Sequence, residues 1–265
     1  LSTVDLKVQD DLTVTDDASI GGDAAVTGAL TGGTVNGLGI AYNITNFSQG
    51  ILISNDAGTG TLDGANNNTG LGFEVFDDLT SGDQNTGVGV QALAKVTTGS
   101  NNNAFGETAL YTNTTGGNNV AMGRAALESN TTADNNTAIG HQSLKANSTG
   151  EQNVAVGSSA LLANTTASQN VAVGTSALAA NTTGLANTAV GALALDANTT
   201  ANNNTAVGYN TLGANTTGAS NTAIGGQALE ANTTASNNTA VGDDAMKANT
   251  TGDKNVAVGT AALDA

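Results

Sequence analysis

The stretch that decides the fold is residues 153–169, which read NVAVGSSALLANTTASQ. Its Gly recurs with a constant 17-residue period from Gly72 to Gly259, twelve times without an insertion. An Asn stands four residues before each Gly, and an apolar residue stands directly before it. Four residues after each Gly there is a Leu, except at Phe76 and Met246. In the quoted copy the structural repeat positions are Asn153, Val156, Gly157, Leu161 and Asn164.

The length of the unit restricts the architecture. Two packed helices need about 30 residues or more per repeat, and a strand plus a helix needs at least about 20. A unit of this length suits one coil of a parallel β-solenoid, or β-roll, with two short strands and two turns. We expect the first strand at residues 153–156 and the second at 160–166, with Gly supplying the turn between them. A short helix at residues 160–163 is the competing local interpretation.

Side-chain alternation assigns faces to these strands. In the first strand it predicts that Val154 and Val156 form the core, together with Leu161 of the second. A row restricted to small residues then points outward and predicts contact with neighbouring chains. This proposed inter-chain contact row consists of Ala155, Ala172, Ala189, Ala206 and Ala223.

The repeated Asn residues predict ladders, because stacked Asn side chains hydrogen-bond from coil to coil and satisfy turn amides. Twelve coils spaced about 4.8 Å apart give a rod of roughly 58 Å. The Asn-Thr-Thr rungs also match the N-glycosylation acceptor pattern, but rungs this close together leave no room for a glycan on each. Their regular Thr ladder makes ice binding an alternative function. Adjacent Thr residues alternate faces, however, so Thr165 and Thr166 cannot both lie on one flat surface.

The amino-terminal region follows a different rule. Residues 6–29 repeat in hexads as [LA]-x-[VI]-x-x-x, which predicts short strands and tight turns. We divide the chain into a hexad-repeat β shaft at 1–32, a transition with a degenerate first coil at 33–65, and the twelve-copy roll at 66–265. In the degenerate coil, residues 51–53 replace the Thr-Ala-Val strand one residue out of phase.

Composition excludes several classes of function. The 265 residues include 6 Lys and Arg against 22 Asp and Glu, a net charge of −16, so nucleic acid and anionic membranes are unsuitable partners. No Cys is present, which removes disulfides and thiol chemistry, and no apolar run reaches the length of a membrane span. We predict no cofactor, no metal and no catalytic residue.

The remaining titratable residues have simple interpretations. His141 occupies a variable outer position and is expected to be solvated. The doublets Asp10/Asp11, Asp16/Asp17, Asp77/Asp78 and Asp243/Asp244 suit turns and surface charge better than acid–base catalysis. Stacked hexads offer a less favoured alternative, in which the first two doublets hold Ca²⁺.

Two families carry similar motifs. Residues 153–157 (NVAVG) and 221–225 (NTAIG) resemble the Asn-Ser-Val-Ala-Ile-Gly signature of YadA-like head repeats in trimeric autotransporter adhesins. This resemblance implies a left-handed parallel β-roll assembled as a homotrimer. The longer pattern, N-T-A-[VI]-G-x-x-A-L…N-T-T-G, is similar to repeats of bacteriophage tail-fibre proteins, and residues 12–32 are similar to fibre shafts. Adhesin heads usually have shorter coils.

Together these features predict an all-β, non-enzymatic structural fibre segment, extracellular on a virion appendage or cell surface. It would be a stiff homotrimeric rod of a phage tail fibre or similar appendage, and a piece of a longer or processed protein. Any host-surface receptor would be contacted through a tip outside this segment. The alternatives are the head of a bacterial surface adhesin and an ice-binding solenoid.

Overall fold

The computed structural model describes residues 62–264, together with the backbone of three strands between residues 34 and 54. The predicted shaft at 1–32 lies outside the described residues. Twelve of the described strands are three-residue segments, one for each Gly of the repeat. The strands are β1 Thr34–Val35, β2 Leu38–Ile44, β3 Phe47–Ser54, β4 Thr69–Leu71, β5 Thr86–Val88, β6 Asn103–Phe105, β7 Val120–Met122, β8 Thr137–Ile139, β9 Val154–Val156, β10 Val171–Val173, β11 Thr188–Val190, β12 Thr205–Val207, β13 Thr222–Ile224, β14 Thr239–Val241 and β15 Val256–Val258.

These strands form one sheet whose spatial order is the chain order. Strands β1, β2 and β3 pair antiparallel, and every pair from β3 to β15 is parallel. Within β9 to β11, Ala155 pairs with Ala172 and Ala172 with Ala189, so each partner lies one repeat further along the chain. The predicted parallel β-solenoid of 17-residue coils is therefore confirmed.

The entry to the solenoid follows a slightly different register. Residues 51–53 of β3 pair in parallel with residues 69–71 of β4, an offset one position longer than the repeat period. This is the one-residue phase shift that the sequence indicates for these residues. The antiparallel pairing of β2 and β3 places a hairpin at the first end of the parallel stack.

The predicted second strand does not form, and neither does the short helix. Residues 158–163 make consecutive turns. Gly157, Ser159 and Leu161 have positive φ angles of 138°, 59° and 51°, whereas the residues between them do not. This alternation curls the chain, so that neighbours Ala160 and Leu161 both point inward and are fully buried. A left-handed conformation is unfavourable for Leu on its own. Burial of the Leu161 side chain offsets that cost, together with a hydrogen bond of 3.0 Å from its backbone N–H to the carbonyl of Ala177.

The predicted faces of the first strand are reversed. The alanine row is buried, and all five predicted contact residues in it are 0% exposed, so they cannot touch a neighbouring chain and that prediction is wrong. Val154 and Val156 flank it and are only partly buried. The physical reason is the narrow coil, since Leu161 already fills the space opposite the strand and leaves room only for a methyl group. The inward row consists of Gly70, Gly87, Ala104, Ala121, Ala138, Ala155, Ala172, Ala189, Ala206, Ala223, Ala240 and Ala257.

The first coils show the same limit on the space inside the coil, because larger inward side chains there face a smaller strand residue. There Val75 and Phe76 replace the usual inward Ala and Leu, and both are fully buried. The strand residue that faces them is Gly87 instead of Ala. A methyl group added at Gly87 would stand 2.8 Å from Cγ1 of Val75 and 3.4 Å from Cε1 of Phe76. In this coil the larger side chains on one wall therefore require glycine on the other.

Two ladders of Asn side chains run through the interior, as predicted. In the first, Asn153 donates from its backbone N–H to Oδ1 of Asn136 at 3.0 Å and from Nδ2 to the carbonyl of Ala167 at 2.9 Å. In the second, Asn164 donates from Nδ2 to Oδ1 of Asn147 at 2.9 Å and to the same carbonyl at 3.0 Å. Both side chains are fully buried. We call these the strand ladder and the turn ladder.

Candidate functional site

The predicted repeat positions divide between the interior and the surface. Asn153, Leu161 and Asn164 are fully buried, and Gly157 holds the turn at a φ of 138°. Val156 is the exception, because it lies on the outer face of the strand. Four of the five positions therefore build the coil, and the fifth contributes to a surface.

That surface is the outer face of the parallel sheet. The residue before each Gly forms a continuous outward file, which we call the apolar row. Seven of its members are between 36% and 49% exposed, namely Leu71, Phe105, Met122, Ile139, Val173, Val190 and Ile224. Its other members are Val88, Val156, Val207, Val241 and Val258. A contiguous apolar file of this length is unusual on a soluble monomer, and it is therefore the candidate interaction surface of the described residues.

Charged side chains occupy other rows and join neighbouring coils. Arg124 lies 3.2 Å from Glu107, Lys145 lies 3.2 Å from Glu128, and Lys247 lies 3.5 Å from Glu230. The two members of each pair are one repeat period apart, so equivalent positions of adjacent coils carry opposite charges. The sequence analysis missed these pairs, although opposite charges one period apart were visible in the aligned repeats. Exposed pairs of this kind stabilise weakly.

A polar contact in the closing turn was also missed. Where the residue eleven positions after the Gly is Ser, Asp or Asn, its side chain accepts a hydrogen bond from the backbone N–H at the same position in the preceding coil. Examples are the Glu151 N–H to Ser168 Oγ and the Ala219 N–H to Ser236 Oγ, both at 3.0 Å. The sequence analysis assigned no contact to these positions, but a short Ser, Asp or Asn there links one coil to the next.

Two of the four Asp doublets lie among the described residues, and lysines approach both. Nζ of Lys95 is 3.4 Å from Asp77 and 3.2 Å from Asp78, and hydrogen bonding to Asp78 raises the pKa of that lysine. Lys247 lies 3.0 Å from Asp244 in the other doublet. The doublets at residues 10–11 and 16–17 lie outside the described residues. In residues 62–264 no three acidic, His or Cys side chains are grouped to hold a metal ion.

The lone His is exposed, as expected. Its Nε2 stands 3.4 Å from Nη1 of Arg124, so His141 continues the charged row that begins at Glu107. The contact given for the His141 ring is this guanidinium, and it does not include a carboxylate.

Asp196 carries a pH-dependent stability term. Burial raises the pKa of its carboxyl above the usual 3.8. When the pKa of an acid is higher in the folded chain than in the unfolded chain, ionisation of that acid destabilises the folded state. The destabilisation is complete at pH values above the raised pKa and is absent at pH values below the ordinary pKa. We expect Asp196→Asn to stabilise the protein at pH 7 by less than about 1 kcal/mol, since the group is partly solvated. Thermal melts should show this gain vanish below pH 3.8, and a less stable variant at pH 7 would contradict the assignment.

The Asn-Thr-Thr rungs serve the fold. Their Asn residues form the turn ladder, with eight of nine fully buried, so their side-chain amides are inaccessible to modification in the folded chain. In the rungs before the last one, the hydroxyl that follows the Asn also donates to the next coil, as Thr165 Oγ1 does to the carbonyl of Thr182 at 3.2 Å. The second Thr of the rung, such as Thr166, is exposed. One exposed file of Thr therefore runs along the solenoid.

Comparison with protein-family models, curated proteins and solved structures finds no match to this chain. The likeness to adhesin heads and tail fibres thus depends on the repeat motif alone. Among the described residues, none forms a helix with the length and apolarity needed to cross a bilayer.

Proposed function

We propose that this chain is a non-enzymatic structural segment, a stiff rod of a phage tail fibre or similar extracellular appendage. The observation that carries the proposal is the uninterrupted bonding between coils. Around one coil, the N–H groups of Val154, Gly157, Leu161 and Thr165 each donate to a carbonyl of an adjacent coil, at 2.7–3.2 Å. A repeat array bonded in this way at every step resists bending and has a length set by its number of coils.

The interior supports the same role. Both Asn ladders continue through successive coils, so each coil satisfies the buried polar groups of the next. Such a network ties neighbouring coils into one unit, since a displaced coil would leave several buried groups without partners. The proposed role is mechanical: the rod holds a receptor-binding tip away from its anchor, and it works as a homotrimer.

The test is to change the number of coils. Deleting residues 154–221 removes four repeats and rejoins the chain in register, because Asn153 and Asn221 hold equivalent positions. We expect the deleted protein to fold and its rod to shorten by about 19 Å, four steps of about 4.8 Å. Small-angle X-ray scattering measures the maximum dimension. An unchanged dimension, or a compact particle with no axial length, would overturn the rod.

A second deletion controls for disruption of the fold. Removing only residues 154–162 takes out about half a coil and breaks the register of both ladders. This protein should lose cooperative folding, whereas the four-coil deletion should retain it. Equal behaviour of the two deletions would show that coil register does not set the structure of the rod.

A further inference from the structure

Among the residues that the structure describes, the apolar row is an outward file whose apolar character the fold does not explain. Its side chains are not needed to fill the coil, because the alanine row, Leu161 and their equivalents already do so. Exposed Thr would satisfy a strand as well, since Thr is also a favourable strand residue. Yet the position holds Val, Ile, Leu, Met or Phe in all twelve coils.

Charge distinguishes this face from the rest of the surface. No charged residue occupies the apolar row or the neighbouring outward position two residues earlier in any of the twelve coils. The charged side chains instead lie in the turns, as with Glu107, Asp134 and Glu230. In a chain with a net charge of −16, the strand face is therefore a surface on which two copies approach without direct like-charge contacts.

The file of hydroxyls at the second Thr of each rung is also uncharged, but it is polar. Residues such as Thr166 and Thr183 are exposed there and gain little from leaving water. Of these two uncharged faces among the described residues, the strand face is the one with an apolar side chain at every step.

The size of the face matches a protein partner. At roughly 50 Å² of apolar surface for each half-exposed side chain, the row presents on the order of 600 Å² per chain, before its flanking residues are counted. A standard interface takes about 800 Å² from each partner. The row repeats with every coil, so the partner that excludes water along all of it must have the same axial repeat. A second copy of this chain has that repeat by construction.

We propose that the apolar row is the surface through which copies of this chain pack side by side. The proposal deepens the homotrimeric rod of the proposed function and rests on it. It also replaces the alanine row as the contact surface. Each copy contributes its strand face, and the side chains of one row fit between the coils of the next.

The test places charge on the face at three successive coils. The variant Val173→Lys, Val190→Lys, Val207→Lys puts three ammonium groups into the proposed contact. We expect the wild-type chain to show three times its 25.7 kDa mass by light scattering and the triple variant to show the mass of a single chain. Lysine is tolerated on an exposed strand position, so circular dichroism should report the same fold.

A matched control uses the same coils and the same charge. Thr183→Lys, Thr200→Lys, Thr217→Lys adds three lysines on the exposed Thr file, and this protein should keep the wild-type mass. A monomeric wild type, or a triple valine variant that keeps its mass, would overturn the proposed contact. If the triple valine variant dissociates but keeps its maximum dimension in small-angle scattering, the contact surface is supported and the rod is unaffected. The contact surface and the rod are therefore tested by different measurements.

Discussion

Gly225→Ala is expected to disrupt the solenoid at its coil and to destabilise the protein by about 3–6 kcal/mol. Gly225 has a φ of 131°, a conformation that a side chain makes unfavourable. An added methyl group would also stand 2.5 Å from the carbonyl carbon of Gly242 in the next coil and 2.9 Å from the amide nitrogen of Asp243. These are backbone atoms of a bonded layer, so they cannot move aside. Chemical denaturation followed by circular dichroism measures the loss.

The adjacent glycine supplies the control. Gly226 has no positive φ, and a methyl group added there would meet only the carboxylate oxygen of Asp243, at 2.7 Å. That side chain can turn away, so Gly226→Ala should change stability by no more than about 1 kcal/mol. Equal destabilisation by the two substitutions would show that the repeated glycine is not required by its conformation or by the close approach of the next coil.

Asn187→Ala is expected to cost about 2–4 kcal/mol, because it leaves the buried N–H of Asn204 without its partner and removes one of the two donors to the carbonyl of Ala201. Oδ1 of Asn187 accepts the N–H of Asn204 at 3.0 Å, and its Nδ2 donates to the carbonyl of Ala201 at 2.8 Å. Both bonds lie in the dry interior of the stack. The loss should spread to the neighbouring coils, since each rung orients the next. Native-state hydrogen exchange should therefore show reduced protection at Asn204.

The control for this substitution is Thr183→Ala. Thr183 lies in the exposed file of the same region, and its truncation should change stability by less than about 0.5 kcal/mol. If Asn187→Ala were as mild as this, the strand ladder would be a consequence of stacking and not one of its causes. Asn187→Asp adds a further check, because a carboxylate cannot donate the bond to Ala201.

The charged rows show how far periodic sequence reasoning extends. Glu128 and Lys145 both stand five residues after the Gly of their repeats, and the structure joins them as a cross-coil ion pair. Predicting this pair from the sequence requires comparing residues that are one period apart instead of residues that are adjacent in the chain. The same step applied to Glu107 and Arg124 would have found the second pair.

The sequence by itself determined the period, the parallel stacking, the glycine turn and both Asn ladders. A repeat of constant length without insertions leaves equivalent residues stacked, and a buried Asn on one rung finds its partners on the next. The variability of its repeat position also placed His141 outside. These conclusions need only the spacing of residue types along the chain.

Only the tertiary structure decided which side of the strand faces inward and how the remainder of each coil runs. Hydrophobicity favoured Val156 inside and Ala155 outside, whereas the structure buries Ala155 and exposes part of Val156. The inward space is set by the distance to the opposite wall, and the left-handed turn at Leu161 sets that wall. Alternation along a strand shows which residues share a face, but the volume enclosed by the whole coil decides which face can be filled.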